Sequence, residues 1–219
     1  MSTHILTSYD AALDAFHANI TRLSSMVAAN LDLACQGVIH ADEAACTRAI
    51  ADDAEVNEME RQIDAMGMDI LTRFQPVAKD LRMVIAVMRV ASNLERISDE
   101  AKNIARRGRN LAAASAPMAE LVELFAMARK ELADAIAGFL ARDRELAATI
   151  RPQDKVLDAK HRSLIEALAG SIAAEHANAT HVLHQVFITR SLERIGDHAK
   201  NIAEETAFLC GPHQRDVVV

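Results

Sequence analysis

The 219-residue chain has little of what builds sheets or stacks on bases: it contains no Trp, one Tyr, seven Gly and four Pro. The scarcity of aromatic residues and the abundance of Ala, Leu, Met and Glu disfavour sheets and favour long helices. A net charge of −7 and only 3% aromatic residues argue against a general nucleic-acid binder, which would carry a basic stripe. Hydrophobic residues at 51% and charged residues at 25% are typical of a folded protein with a sizeable core.

Cysteine usage and hydropathy indicate a cytoplasmic protein. Cys35, Cys46 and Cys210 lie far apart, so none of them has the short spacing of a zinc knuckle or redox loop. Reduced thiols in the cytoplasm are the expectation. Asp10 and Asp14 interrupt the N-terminal segment, which is unlike a signal peptide. The sequence contains no apolar run near the ~20 residues of a membrane span.

Regular interruptions of the helical pattern predict an all-α fold. Proline is tolerated in the first turn of a helix, so Pro76, Pro117 and Pro152 are interpreted as helix starts. Short connections between long helices imply antiparallel neighbours and a bundle. The six predicted helices span residues 7–36, 42–74, 76–109, 117–148, 151–175 and 178–210.

The chain contains an internal duplication. The segment 94–105 returns as 192–203, with ten of twelve positions identical and an offset of 98 residues, from Glu95 to Glu193. A related pattern of polar residues earlier in each half recurs at an offset of 101 residues, as from Asp53 to Asp154. The duplication predicts two tandem three-helix bundles, one formed by residues 1–112 and one by residues 113–219.

In each repeat, residues three and four apart form a stripe along one helix face that begins with apolar side chains and ends in two carboxylates. These acids are Glu95 and Asp99 in the third helix and Glu193 and Asp197 in the sixth. An antiparallel register brings these acids level with further oxygen-bearing side chains of the second and fifth helices. Those side chains are Asp53, Asn57, Asp154 and Asp158. At ~4 Å and an effective dielectric of ~20, a like-charge pair costs about 4 kcal/mol.

Three arrangements relieve such repulsion: protonation, basic partners or a bound cation. Hard oxygen ligands suit Mg²⁺, Ca²⁺ or Mn²⁺ and allow iron, and His161 beside the second set favours a transition metal. The alternative is a set of ordinary ion pairs, Asp99 with Lys102 and Asp197 with Lys200, three residues apart on a helix.

Charges that break the repeat are candidates for partner binding. Asp80 and Arg82 lie near the start of the third helix, and the equivalent stretch 178–180 carries neither charge. Asp80 also suits the positive end of a helix, and the basic cluster 106–109 is interpreted as cations matched to a helix C-terminus. The sequence has no Glu-x-x-His pair, Gly-rich phosphate loop, Gly-x-Ser-x-Gly or His-Glu-x-x-His, which argues against the enzyme classes that use them.

The doubled segment Leu-Glu-Arg-Ile-x-Asp-x-Ala-x-Asn-Ile resembles the signature of the PhoU family, regulators associated with the phosphate-specific transport system. The stretches 75–82 and 141–143 are also similar to the family's pattern. The resemblance implies two three-helix bundles related by a pseudo-twofold axis. It also implies metal ions (Mg, Mn, Fe, Zn or Ca), which map onto Glu95, Asp99, Glu193 and Asp197.

The same resemblance implies a cytoplasmic, homodimeric adaptor that is not an enzyme. Its partners would be the ATPase subunit of a phosphate ABC transporter and a sensor histidine kinase, with repression of the starvation response when phosphate is plentiful. Asp80, Arg82 and Arg142 are the partner-binding candidates. The alternatives are a metal-dependent hydrolase using the carboxylates, an accessory protein of another phosphate permease, and a scaffold whose acids are surface charge.

Overall fold

A computed structural model describes residues 2–111, 119–173 and 178–211. These residues form helices and their connections without any strand, which confirms the predicted all-α class. No helix in the described ranges has an apolar stretch that could cross a bilayer. The helices are α1 (Ser2–Ile39), α2 (Glu43–Phe74), α3 (Ala78–Leu111), α4 (Ala119–Ala141), α5 (Arg144–Ala173) and α6 (Ala179–Cys210).

The helices form two trios joined along α3 and α6. Helices α1, α2 and α3 contact one another, as do α4, α5 and α6, and α1 touches α4. Contacts such as Arg89 with Glu205 and Arg107 with Phe187 show that α3 packs antiparallel to α6. The apolar residues of the duplicated segment form the centre, where Leu94, Ile97, Leu192 and Ile195 are fully buried. The predicted boundary between the halves, at residues 112 and 113, lies outside the described residues.

The first connection of each trio is built in the same way. Ala41 between α1 and α2, and Arg142 between α4 and α5, both have φ of 53°. The next residues, Asp42 and Asp143, each accept a hydrogen bond at 3.0 Å from the backbone N–H three residues later. An aspartate that caps the helix start in this way compensates one of the unpaired N–H groups there. The duplication therefore extends to the turns.

The predicted break at Pro152 is wrong. Helix α4 ends at Ala141, α5 begins at Arg144, and Pro152 lies inside α5. A proline inside a helix leaves the carbonyl four residues earlier without its donor. Here that residue is Ala148, and both it and the proline are exposed, so water can satisfy the carbonyl. The predicted helix start at Pro117 and the predicted break near residue 175 lie outside the described residues.

Candidate functional site

In the first trio the acids predicted to meet are bridged by a lysine. Lys102 Nζ lies 2.6 Å from Asp53 Oδ2 on α2 and 2.5 Å from Asp99 Oδ1 on its own helix. Asn57 donates a further hydrogen bond to Asp53 Oδ2 at 3.2 Å. The predicted register of α2 against α3 is thereby confirmed, and one ammonium group lies between the two aspartates and balances one of their two negative charges.

A chain of hydrogen bonds continues from this bridge into the core. Ser98 Oγ on α3 donates to Asp53 Oδ1 at 3.0 Å, and Asn30 Nδ2 on α1 donates to Ser98 Oγ at 2.9 Å. All three residues are buried. Both carboxylate oxygens of Asp53 are thus hydrogen-bonded, which offsets the cost of burying the charge.

The second trio repeats the lysine bridge. Lys200 Nζ lies 2.9 Å from Asp154 Oδ2 on α5 and 2.6 Å from Asp197 Oδ1 on α6. Burial disfavours the ammonium charge, but the hydrogen bonds to both aspartates dominate and raise the pKa of Lys200 above its usual value. The ammonium therefore stays charged at neutral pH and holds α5 against α6.

The hydrogen-bond chain behind this bridge is missing from the second trio. Gly196 stands where the first trio has a serine, and Glu131 stands where it has an asparagine. Glu131 is 1% exposed, and neither of its oxygens has a partner among the described residues, nor has Asp154 Oδ1. Burial, followed by the charge of Asp154, raises the pKa of Glu131 to about 8. Glu131 is therefore largely protonated at pH 7.

The remaining predicted acids are half-buried beside the bridges. Burial is the main cause that raises the pKa of Glu95, and the neighbouring charge of Asp99 adds to it. Glu193 behaves alike, with Asp197 as the second cause. The negative charge of Asp158 contributes further to the raised pKa of Glu193. Nearby bases offset part of this repulsion, since Arg96 Nε lies 3.5 Å from Glu95 Oε2 and the charges of His161 and Arg190 act to lower the pKa of Glu193.

The described residues contain no group of three or more His, Cys, Asp or Glu side chains placed to hold one metal ion. Lysines relieve the predicted repulsion: Lys102 and Lys200 each reach an acid on a second helix as well as the one three residues away. His161 faces α6, and its Nδ1 lies 3.3 Å from the carbonyl oxygen of Thr189, to which it can only donate. Metal binding stays a prediction. A lysine occurs at the equivalent position of both repeats, 102 and 200, and this recurrence was the sequence signal for the bridging role.

The partner-binding candidates come together at one end of the molecule. Asp80 Oδ2 accepts a hydrogen bond from Tyr9 Oη at 2.9 Å, and burial and this bond raise the pKa of Tyr9 to about 12. The guanidinium of Arg82 lies beside Gly211, where a Cβ would be 3.4 Å from Nη2. Its Nε is buried without a partner among the described residues.

Arg142 joins the same end through the turn between α4 and α5. Its carbonyl oxygen accepts from Cys210 Sγ at 3.4 Å, and its Nη2 lies 3.5 Å from His17 Nε2. Burial, and then the charge of Arg142, lower the pKa of His17, so the ring is neutral and accepts from the guanidinium. Arg144 Nη1 also donates to the Gly211 carbonyl at 2.8 Å. The three candidates thus lie at the end of the molecule where α3 begins and where α4 and α6 end, and this group of residues is here called the end cluster.

The fold and the paired bridges define a duplicated three-helix-bundle protein. The family model described as PhoU domain matches residues 20–108 and 121–206, one match for each trio. The chain belongs to the PhoU family.

Named relatives and solved structures agree with this assignment. A Xylella fastidiosa protein named phosphate-specific transport system accessory protein PhoU homolog is 32% identical over 96% of this chain and 88% of its own length. The crystal structure of PhoU from Pseudomonas aeruginosa matches with a TM-score of 0.89 and 31% identity, covering 92% of this chain and 98% of that one. A phosphate transport system regulatory protein PhoU from Streptococcus pneumoniae has a TM-score of 0.85 at 23% identity, over 92% of this chain and 96% of its own, and shares the fold.

Proposed function

We propose that the chain is a cytoplasmic regulator of phosphate uptake and phosphate-starvation signalling that acts through protein contacts and performs no chemistry. Its partners are the ATPase subunit of a phosphate ABC transporter and a sensor histidine kinase, whose output it represses when phosphate is plentiful. Family membership supports this role, because relatives are named as accessory proteins of the phosphate-specific transport system.

The asymmetry of the end cluster is the observation that carries the proposal. The 98-residue offset relates Asp80 and Arg82 to the stretch 178–180, which has no charge at the matching positions. The 101-residue offset relates Arg142 to Ala41, which has the same backbone conformation and no charge. A feature that maintained only the bundle would be expected in both copies. Charges confined to one end suit recognition by a partner, since charged surface groups set specificity and association rate.

The test is a binding assay on the purified chain with the transporter ATPase subunit and, separately, with the cytoplasmic part of the kinase. Asp80→Ala and Arg82→Ala are expected to weaken binding by about tenfold or more, as truncation of charged interface anchors does. Thr180→Ala, at the position equivalent to Arg82, is the matched control and should leave binding unchanged. Equal affinity of all three variants and the unaltered chain would remove the end cluster as the partner surface.

The signalling role has its own test. Deletion of the gene is expected to raise phosphate-responsive expression in cells supplied with ample phosphate. Reintroduction of the unaltered chain should restore repression, and the Arg82→Ala chain should fail to do so. Unchanged expression after deletion would contradict the role and would favour an accessory protein of another permease.

Metal binding at the carboxylate clusters is a separate prediction. Carboxylate oxygens suit hard cations, but an ion between Asp53 and Asp99 would have to replace the ammonium of Lys102. Elemental analysis of the purified chain and of a Glu95→Ala/Asp99→Ala variant is the measurement. A metal content that does not fall in the variant would contradict binding at the first cluster.

The predicted homodimer is tested by analytical ultracentrifugation at two protein concentrations. A monomer at both would contradict it. The hydrolase alternative has less support, because lysines already occupy the carboxylates that it would use.

A further inference from the structure

A groove between α3 and α6 is lined by four arginines and by none of the acids predicted to hold a metal. Arg106 and Arg107 come from α3, Arg190 and Arg194 from α6, and the cavity measures about 540 Å³. This volume falls in the range of small-molecule sites, about 300–1,000 Å³. On a chain with a net charge of −7, such a concentration of positive charge does not follow from overall composition.

Two of the arginines are held in place by neighbouring side chains. Arg194 Nη1 lies 2.7 Å from Oε1 of Glu100, whose side chain is only 7% exposed. The guanidinium carbon of Arg107 lies 4.4 Å from the centroid of the Phe187 ring. Such contacts reduce the side-chain entropy that an arginine loses when it binds a ligand. Glu100 is the one acid that lines the groove in the described part of the chain.

The other two arginines line the groove without an ion pair, although the charge of Arg190 acts at longer range on Glu193. Arg106 and Arg190 are exposed, and neither forms an ion pair with any residue that the structure describes. Among the residues that line the groove, four guanidinium groups stand against one carboxylate, an excess of three positive charges. The positive charge of the groove also affects His184, whose pKa is lowered first by burial and then by the charge of Arg107.

The duplication provides an internal comparison for this groove. The 98-residue offset exchanges α3 and α6, so that the contact between Arg107 and Phe187 corresponds to the pair Glu205 and Arg89 on the other side of the pseudo-twofold axis. There Arg89 Nη1 lies 3.4 Å from Glu205 Oε1, an ion pair within the protein. The same position thus carries a neutralised pair in one copy and an unopposed cation in the other.

A second pair of positions differs in the same sense. Arg106 corresponds to Glu204, and Arg190 corresponds to Ser92. Two positive side chains of the groove are therefore replaced by an acid and a neutral residue across the axis. The packing of α3 against α6 is common to both sides, so it does not require the arginines. The two arginines are therefore explained by a group that they contact in the groove and not by the packing of the helices.

We propose that this groove binds a soluble anion carrying two or more phosphate groups. The planar guanidinium group of arginine matches phosphate oxygens with paired hydrogen bonds. Arg190 and Arg194 are one helical turn apart, about 6 Å along α6, and the two α3 arginines face them. This spacing presents charges along a line, which suits a string of phosphates better than a single ion. Asn103 and Asn110 line the groove as further hydrogen-bonding groups.

The experiment is calorimetric titration of the purified full chain with inorganic tripolyphosphate at low and fixed ionic strength, with orthophosphate and sulfate as comparison anions. Tripolyphosphate is expected to bind at least about tenfold more tightly than either single anion. An Arg106→Gln/Arg190→Gln variant should weaken tripolyphosphate binding by about tenfold or more, because it removes two guanidinium groups that form charge-assisted hydrogen bonds with phosphate oxygens. Both arginines are exposed, so the variant should fold, which circular dichroism checks.

The matched control is Arg89→Gln/Arg96→Gln, which removes the same charge on the other side of the axis. It should leave the affinity within about twofold, since Arg89 and Arg96 are not among the residues that line the groove and each already lies beside an acid, Glu205 and Glu95. No measurable heat with tripolyphosphate, or equal weakening by both double variants, would overturn the proposal. So would binding only to vesicles that contain phosphatidic acid, because the phosphate would then belong to a lipid. The assay uses the purified chain alone and is independent of whether the regulatory function is correct.

Discussion

Replacing the buried Glu131 by Gln is expected to remove a large part of the decline in stability at alkaline pH. Glu131 packs at 1% exposure near Asp154, Asp158 and Asp197, with Lys200 as the opposing cation. In the folded chain its pKa is raised from 4.5 to about 8, mainly by burial. Between these two values the folded state keeps a proton that the unfolded chain has lost.

The free energy of unfolding therefore falls as the pH rises through this window. The titration of Glu131 costs no stability well below a pH of 4.5, where both states are protonated, and its cost is complete above about 8. At about 1.4 kcal/mol per pH unit the full loss is at most about 5 kcal/mol. Glutamine has the shape of the protonated acid and does not ionise, so the variant escapes this loss.

The assay is urea unfolding followed by circular dichroism from about pH 5 to pH 9, on the unaltered chain and the variant. The difference in unfolding free energy between the two should change in favour of Glu131→Gln as the pH rises, by several kcal/mol. Glu120→Gln, an exposed acid on the same helix, is the control and should show a difference that does not change with pH. A constant difference for Glu131→Gln would refute the argument that this carboxyl is protonated in the fold.

Three further substitutions test the packing and the lysine bridges by thermal and urea unfolding. Lys102→Met leaves the buried carboxylate of Asp53 without its countercharge and should lower the free energy of unfolding by about 3–5 kcal/mol. Asp53→Asn in the same chain should recover part of this loss, and a loss below about 1 kcal/mol would contradict the bridge. Gly37→Ala should cost about 1–3 kcal/mol, because a Cβ there would lie 2.2 Å from Cys46 Sγ. Gly170→Ala, where a Cβ would meet nothing within 4 Å, should stabilise its helix by about 0.5–1 kcal/mol, and a melting temperature equal to that of Gly37→Ala would contradict both.

Local patterns determined the helices and the duplication. The recurrence of segment 94–105 at 192–203 and the apolar spacing along each copy follow from residues three and four apart sharing a helix face. Short connections made neighbours antiparallel, and that was enough to bring Asp53 level with the acids of α3. Pro152 misled the prediction because a proline is tolerated inside a helix where the carbonyl it leaves unpaired is exposed, and exposure is not visible in the local sequence.

The sequence by itself determined that the chain is two copies of a helical trio with acids at matching levels, since both properties arise from contacts within or between adjacent helices. Only the tertiary structure decided how those charges are balanced. Lys102 and Lys200 bridge acids on two helices, Glu131 lies buried without a partner among the described residues, and Arg106 faces α6 across a groove instead of simply ending its helix. Such outcomes depend on distances of a few ångström between side chains that are remote in the chain, because charge interactions change steeply with separation and burial.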